Sequence, residues 1–96
     1  MVKQANQTVA LPAVIDLDAI DAIRDQLSDA LELGPVTVHA GAVERVATNG
    51  LLLLVSAAET ARRHHFDFAI EAPSAAMTAA VERLGLGAQF SGMMRQ

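Results

Sequence analysis

Two hydrophobic periods alternate along the chain. Val36-Thr37-Val38-His39-Ala40 runs apolar and polar with period two, and so does Phe66-Asp67-Phe68-Ala69-Ile70-Glu71. Alternation of this kind predicts strands with one covered face, carrying Val36, Val38 and Ala40 in one and Phe66, Phe68 and Ile70 in the other. Between and around them the period changes to that of a helix. Leu17, Ile20, Ile23, Leu27, Ala30 and Leu31 recur three and four apart. They predict an amphipathic helix opened by Asp16-Leu17-Asp18 and stopped by Gly34-Pro35. Its opposite face carries Asp18, Asp21, Asp25, Asp29 and Glu32, relieved only by Arg24, the composition of an ordinary solvated face. A central helix is expected from about Gly50 to His64, with Leu51, Leu54, Val55, Ala58 and Ala61 inward. A third is expected from Ala75 to Leu84, with Ser74 as its cap and Met77, Ala80, Val81 and Leu84 inward. Thr8 to Ile15 is rich in β-formers but contains Pro12; it reads as an edge or bulged strand, because proline has no ladder donor. Phe90 is expected to tuck the tail onto the body.

Strands alternating with helices predict an α/β domain with a small mixed, largely parallel sheet. Two strands place Thr37, His39, Asp67 and Glu71 on one face, so the helices are expected mainly on the other. The chain reads as a flexible start over residues 1–8 and a single domain over 9–96.

The stretch Arg45 to Ser56 stands apart. Thr48 and Asn49 are good N-cap residues, Gly50 allows a close turn, and Leu51 to Val55 are all apolar. At about 100° per residue, such a run goes all the way round a helix. Leu52 and Ser56 fall at the edge of the inward stripe or outside it, with Glu59 and Arg63 further along, while Leu53 lies on another flank. Either a further element covers these leucines, or Leu52 is a docking patch beside a polar turn.

Composition narrows the function. The 96 residues carry a net charge of −4, no basic run and no cysteine. This argues against nucleic-acid binding, a polybasic membrane anchor, disulfides and Cys–metal sites. No run of residues reaches the ~18 apolar positions of a membrane span, and the start lacks a signal-peptide core, so a cytoplasmic protein without membrane insertion is expected. His64 and His65 are adjacent and diverge by about 100° on a helix, and His39 sits mid-strand; no metal or other cofactor is expected. Thr48 has no His or carboxylate close in sequence except Glu44, and the carboxylates of the acidic helix face are exposed rather than set in a cleft. The chain reads as not an enzyme. A phosphate on Thr48 would sit at a helix N-terminus, where the dipole favours an anion.

Taken in order, Leu11-Pro12-Ala13-Val14-Ile15-Asp16-Leu17, Val43-Glu44-Arg45-Val46-Ala47-Thr48-Asn49-Gly50-Leu51, Glu71-Ala72-Pro73-Ser74 and Leu84-Gly85-Leu86 resemble the STAS domain. The resemblance runs from about Val9 to Phe90. It is closest to the small bacterial branch of anti-sigma-factor antagonists and of the STAS subunit of phospholipid-trafficking ABC transporters. It implies a protein-binding module that docks through the turn and helix after the third strand. In the antagonists the turn reads Asp-Ser-Ser-Gly or Asp-Thr-Ser-Gly and the residue before Gly is phosphorylated. Here Ala47 stands at the aspartate position and Asn49, which cannot accept phosphate, at the acceptor position; Thr48 matches the preceding hydroxyl.

The expected function is therefore that of a non-catalytic, anti-sigma-factor-antagonist-like signalling domain. Thr48, Asn49, Gly50, Leu52, Ser56, Glu59 and Arg63 are its partner-binding residues, and Thr48 is its possible phosphorylation site. The partner would be an anti-sigma factor or switch kinase. The alternatives are a subunit regulating an ABC-transporter ATPase, a chemotaxis or two-component accessory protein, and a small-ligand or nucleotide-binding domain with a pocket beside Thr48.

Overall fold

The computed structural model describes residues 6–95. In chain order the elements are β1 (Gln7–Ala10), β2 (Val14–Ile15), α1 (Leu17–Leu33), β3 (Val36–His39), β4 (Arg45–Val46), α2 (Thr48–Arg63), β5 (Phe68–Glu71), α3 (Ala75–Arg83), α4 (Gly87–Ser91) and β6 (Met94–Arg95). The main sheet has the order β1-β3-β5-β6, and a second ladder pairs β2 with β4. Every pairing among the described residues is parallel.

Register sets the two faces. Val9, Val38, Ile70 and Met94 lie side by side, with Val36 one step along. These residues face the helices; Val38 and Ile70 are fully buried. Thr8, Thr37 and Ala69 form a row on the other face, and His39 lies beside Glu71. Thr8 and His39 are exposed. The helices thus pack against one face of a parallel sheet. The core joins that face to Leu27 and Leu31 of α1, Leu51 and Leu54 of α2, Met77 and Val81 of α3, and Phe90.

Pro12 divides what the sequence offers as one strand. β1 is indeed at the sheet edge, and Leu11 adds one more bond to the His39 carbonyl at 3.0 Å. The chain then turns away, and the Ala13 carbonyl accepts from Glu44 and Arg45 to open the second ladder. β1 begins at Gln7, two residues before the expected domain start at 9; residues 1–5 of the expected flexible segment lie outside the described residues. β5 begins at Phe68, not Phe66, because Phe66 closes the end of α2 through its N–H bond to the Ala61 carbonyl.

Two apolar positions expected inside are outside. Leu17 is the first residue of α1, directly after its cap Asp16, and projects at 68% exposure. Leu84 is the C-cap of α3 and is also exposed. Both lie at helix ends, where the periodic stripe has already left the body.

Candidate functional site

The site grows from the short β2–β4 ladder. β2 leads through Asp16 into α1, and β4 leads through Ala47 into α2, so two helices spring from adjacent parallel strands. The Ala47 N–H donates to the Ile15 carbonyl at 2.8 Å, and the Ala47 carbonyl accepts from Gly50 at 2.9 Å. One residue therefore ends the ladder and starts the helix.

This geometry corrects the expected cap. Ala47 is the N-cap of α2, with no side-chain cap bond, and Thr48 and Asn49 are already the first two helical residues. The helix starts two residues before Gly50 because the ladder delivers Ala47 in extended conformation (φ −71°, ψ 153°) straight into it. Thr48 and Asn49 are exposed, leaving a hydroxyl and an amide facing outward on the first turn.

Gly50 is buried, and a Cβ there would stand 2.7 Å from Ile15 Cγ2 and 3.2 Å from Val46 Cγ2. Its role is a close approach: the first turn of α2 lies directly on the ladder.

Leu51, Leu54, Ala57 and Ala61 are buried on the inner side of α2. Val55 and Ala58, expected inward, are half-buried. The buried stripe is turned toward Ala57, and Leu53 is half-buried against the core. Leu53 faces α1 across a groove. The groove, of about 330 Å³, runs between the two helices and is lined by Leu27, Leu31, Leu53, Ser56, Thr60 and His64 among others. It lies further down α2 than Thr48.

Thr48, Leu52, Ser56, Glu59 and Arg63 are all exposed. Spaced four, four, three and four apart, they fall within about 80° of one another around the helix. Leu52 is the apolar member, at 48% exposure. Glu59 forms its ion pair with Arg62, not with Arg63. Both partners of that pair are largely exposed, so it fixes side-chain direction more than stability. Arg63 has no ion-pair partner among the described residues.

Two exposed apolar residues lie at the end of β2 that the sequence did not mark as exposed: Val14, opposite Arg45 in the β2–β4 register, and Leu17, at the start of α1. Two apolar residues either side of an acidic cap were the available signal. His64 and His65 end α2, the His64 ring meeting Phe66 edge-on at 6.1 Å. Among the described residues no three His, Cys, Asp or Glu side chains converge as a metal site. No helix among them is long and apolar enough to cross a membrane.

Comparison with known proteins gives the family. No curated protein matches the sequence. The family described as Mlab, STAS domain matches residues 2–95. Among solved structures, the anti-sigma factor antagonist SpoIIAA in its unphosphorylated form is similar with a TM-score of 0.77 at 18% identity, over 100% of this chain and 84% of that one. The Bacillus cell fate determinant SpoIIAA in its phosphorylated form is similar with a TM-score of 0.72 at 19% identity, over 100% and 86%. At such identity the likeness establishes a shared fold. With the family match spanning nearly the whole chain, it leads to one conclusion: the protein belongs to the STAS domain family.

Proposed function

We propose that this domain is a non-catalytic regulatory module that docks a partner protein through the turn at residues 47–50 and the outer stripe of α2, in the manner of an anti-sigma-factor antagonist. One observation carries the reading: Leu52 is held nearly half exposed within a polar stripe, on a helix whose first turn Gly50 anchors to the body. Covering the rest of Leu52 in a complex would contribute roughly 1–2 kcal/mol. Thr48 and Asn49 give the turn its polar contacts, while Ser56, Glu59 and Arg63 orient the partner more than they tighten it. Thr48 presents its hydroxyl on the first helical turn, where the dipole would favour a phosphate. That makes it the acceptor in this reading, in place of Asn49. The partner is an anti-sigma factor, a switch kinase, or a chemotaxis or two-component protein, and the setting is cytoplasmic.

A second reading is supported by the match to the family described as Mlab and by Asn49 at the acceptor position. The domain would sit constitutively on an ABC-transporter ATPase and tune it. It uses the same face.

The test is affinity purification from the native cell with tagged wild-type and Leu52→Asp proteins, read by mass spectrometry, with Thr48 phosphate scored in the same run. A signalling protein retained by the wild type and lost with Leu52→Asp supports the first reading. Stoichiometric recovery of an ATPase, lost in the same way, supports the second. Identical partners with both proteins would remove α2 as the docking face.

A further inference from the structure

The opposite end of the sheet carries a feature that docking through α2 does not use. β1 is an edge strand among the described residues. Gln7 and Leu11 donate their N–H groups to the Pro35 and His39 carbonyls of the β3 side. In a parallel ladder alternate residues bond to the same neighbour, so the N–H and C=O groups of Thr8 and Ala10 point away from β3, off the edge. Both residues are exposed. Beside them runs a shallow groove of about 420 Å³ whose far wall is α1, through Gln26, Asp29, Ala30 and Leu33. Leu33 stands 61% exposed at its end.

The charge on this wall is one-sided. At 100° per residue, Asp18 and Asp25 lie within about 40° of Asp29 around α1. The one cation of the helix, Arg24, bonds Asp21 at 2.9 Å and lines the groove on the other flank, toward α2. Nothing on α1 therefore offsets the carboxylates beside the β1 edge.

We infer that the β1 edge and the Asp29–Leu33 flank of α1 accept an extended, lysine- or arginine-bearing segment of a partner protein by strand addition. The backbone groups of Thr8 and Ala10 supply the ladder bonds. Alternate side chains of the added strand point over the groove, where aliphatic stems cover Leu33 and cationic ends reach Asp29. The same charges disfavour a second copy of this chain. Edge-to-edge pairing about a two-fold axis would set the two acidic α1 flanks against each other. This surface is separate from the α2 face, and the inference does not rest on the function proposed for that face.

The probe is a fluorescein-labelled peptide of alternating Lys and Thr, with an alternating Glu and Thr peptide as control, titrated with the full chain at low ionic strength. Fluorescence anisotropy should rise with the Lys peptide alone. Asp29→Lys, an exposed substitution, should weaken binding about tenfold or more. Ala10→Pro removes an outward donor without touching the β3 ladder and should weaken it similarly, with its melting temperature checked in parallel. In the wild type, the Thr8 and Ala10 amide resonances should move on peptide addition, which tests strand addition independently of any variant. No anisotropy change would overturn the inference. So would binding that Asp29→Lys leaves intact. Binding that leaves the Thr8 and Ala10 amides unmoved would show simple attraction to an acidic helix and overturn it as well. Self-association through this edge, seen by sedimentation and lost in Ala10→Pro, would replace the basic partner with a second copy.

Discussion

Gly50 lies so close beneath Ile15 that a methyl group on it would stand 2.7 Å from Ile15 Cγ2. Ile15 is itself buried and β-branched, with little rotamer freedom to give way. Gly50→Ala gains up to ~1 kcal/mol in helix propensity but meets an overpacking cost of about 1–3 kcal/mol. The expected result is a net loss of up to ~2 kcal/mol, read as a fall in the thermal midpoint of about 4–8 °C per kcal/mol. The cause is checked by repeating the substitution with Ile15→Ala present. The two residues should couple, Gly50→Ala costing less once the Cγ2 is gone.

Leu51 and Leu52 are neighbours in sequence with opposite roles. Leu51 is fully buried and Leu52 is about half exposed. Leu51→Ala should cost about 2–5 kcal/mol of folding stability. Leu52→Asp removes a half-buried side chain and should cost about 1 kcal/mol, well below Leu51→Ala, while removing partner binding. Urea denaturation of both variants, alongside the affinity purification, checks the pair. A large stability loss in Leu52→Asp would return Leu52 to the core.

How much of this was legible from the chain differs from element to element. The one-faced parallel sheet could be read because Val36 and Val38 alternate with Thr37 and His39, and the register later aligns them with Val9 and Ile70. β2 and β4 could not be read, since two residues each cannot display a period. Their ladder is what displaces the start of α2, because it makes Ala47 the cap. Thr and Asn suit a cap as well as an exposed first turn, so their identity did not decide between the two. The orientation of α2 was ambiguous for another reason. Leu51 to Val55 are apolar all round, which left Ala57 and Ala58 to fix the inward direction, and alanine carries almost no directional preference. That the proposed stripe faces outward was nonetheless legible, because Ser56, Glu59 and Arg63 mark the outside at helical spacing.

The caps offer a direct check of that displaced start. Asp16 accepts from the Ala19 N–H at 3.0 Å and Ser74 from the Met77 N–H at 3.1 Å, whereas α2 has no side-chain cap bond. Asp16→Ala and Ser74→Ala should each cost about 0.5–2 kcal/mol. Thr48→Ala should cost markedly less, and Thr48→Glu should be neutral or stabilising by about 0.3–1 kcal/mol, because its carboxylate sits in the first turn. Equilibrium denaturation of the four variants decides this. A Thr48→Ala loss as large as that of Ser74→Ala would mean that Thr48 caps the helix after all.

His65 and Gly85 occupy the same position in the same motif. At the end of α2, Phe66 donates to the Ala61 carbonyl and His65 to Arg62; at the end of α3, Leu86 donates to Val81 and Gly85 to Glu82. These paired bonds are a Schellman closure, and the residue after the C-cap is left-handed in both, at φ 61° for His65 and 73° for Gly85. A residue with a Cβ carries a penalty of roughly 1–2 kcal/mol there, offset in part by the greater unfolded-state freedom of glycine. His65→Gly should therefore stabilise the domain by about 0.5–1 kcal/mol. Gly85→Ala should destabilise it by a similar amount through backbone conformation alone, since nothing lies within 4 Å of where its Cβ would be. Denaturation midpoints moving in opposite directions for the two variants would verify the shared geometry. His65 is exposed and lies beyond the end of the proposed docking stripe, so His65→Gly should also leave partner recovery unchanged. A loss of partner in that variant would extend the docking face to the end of α2.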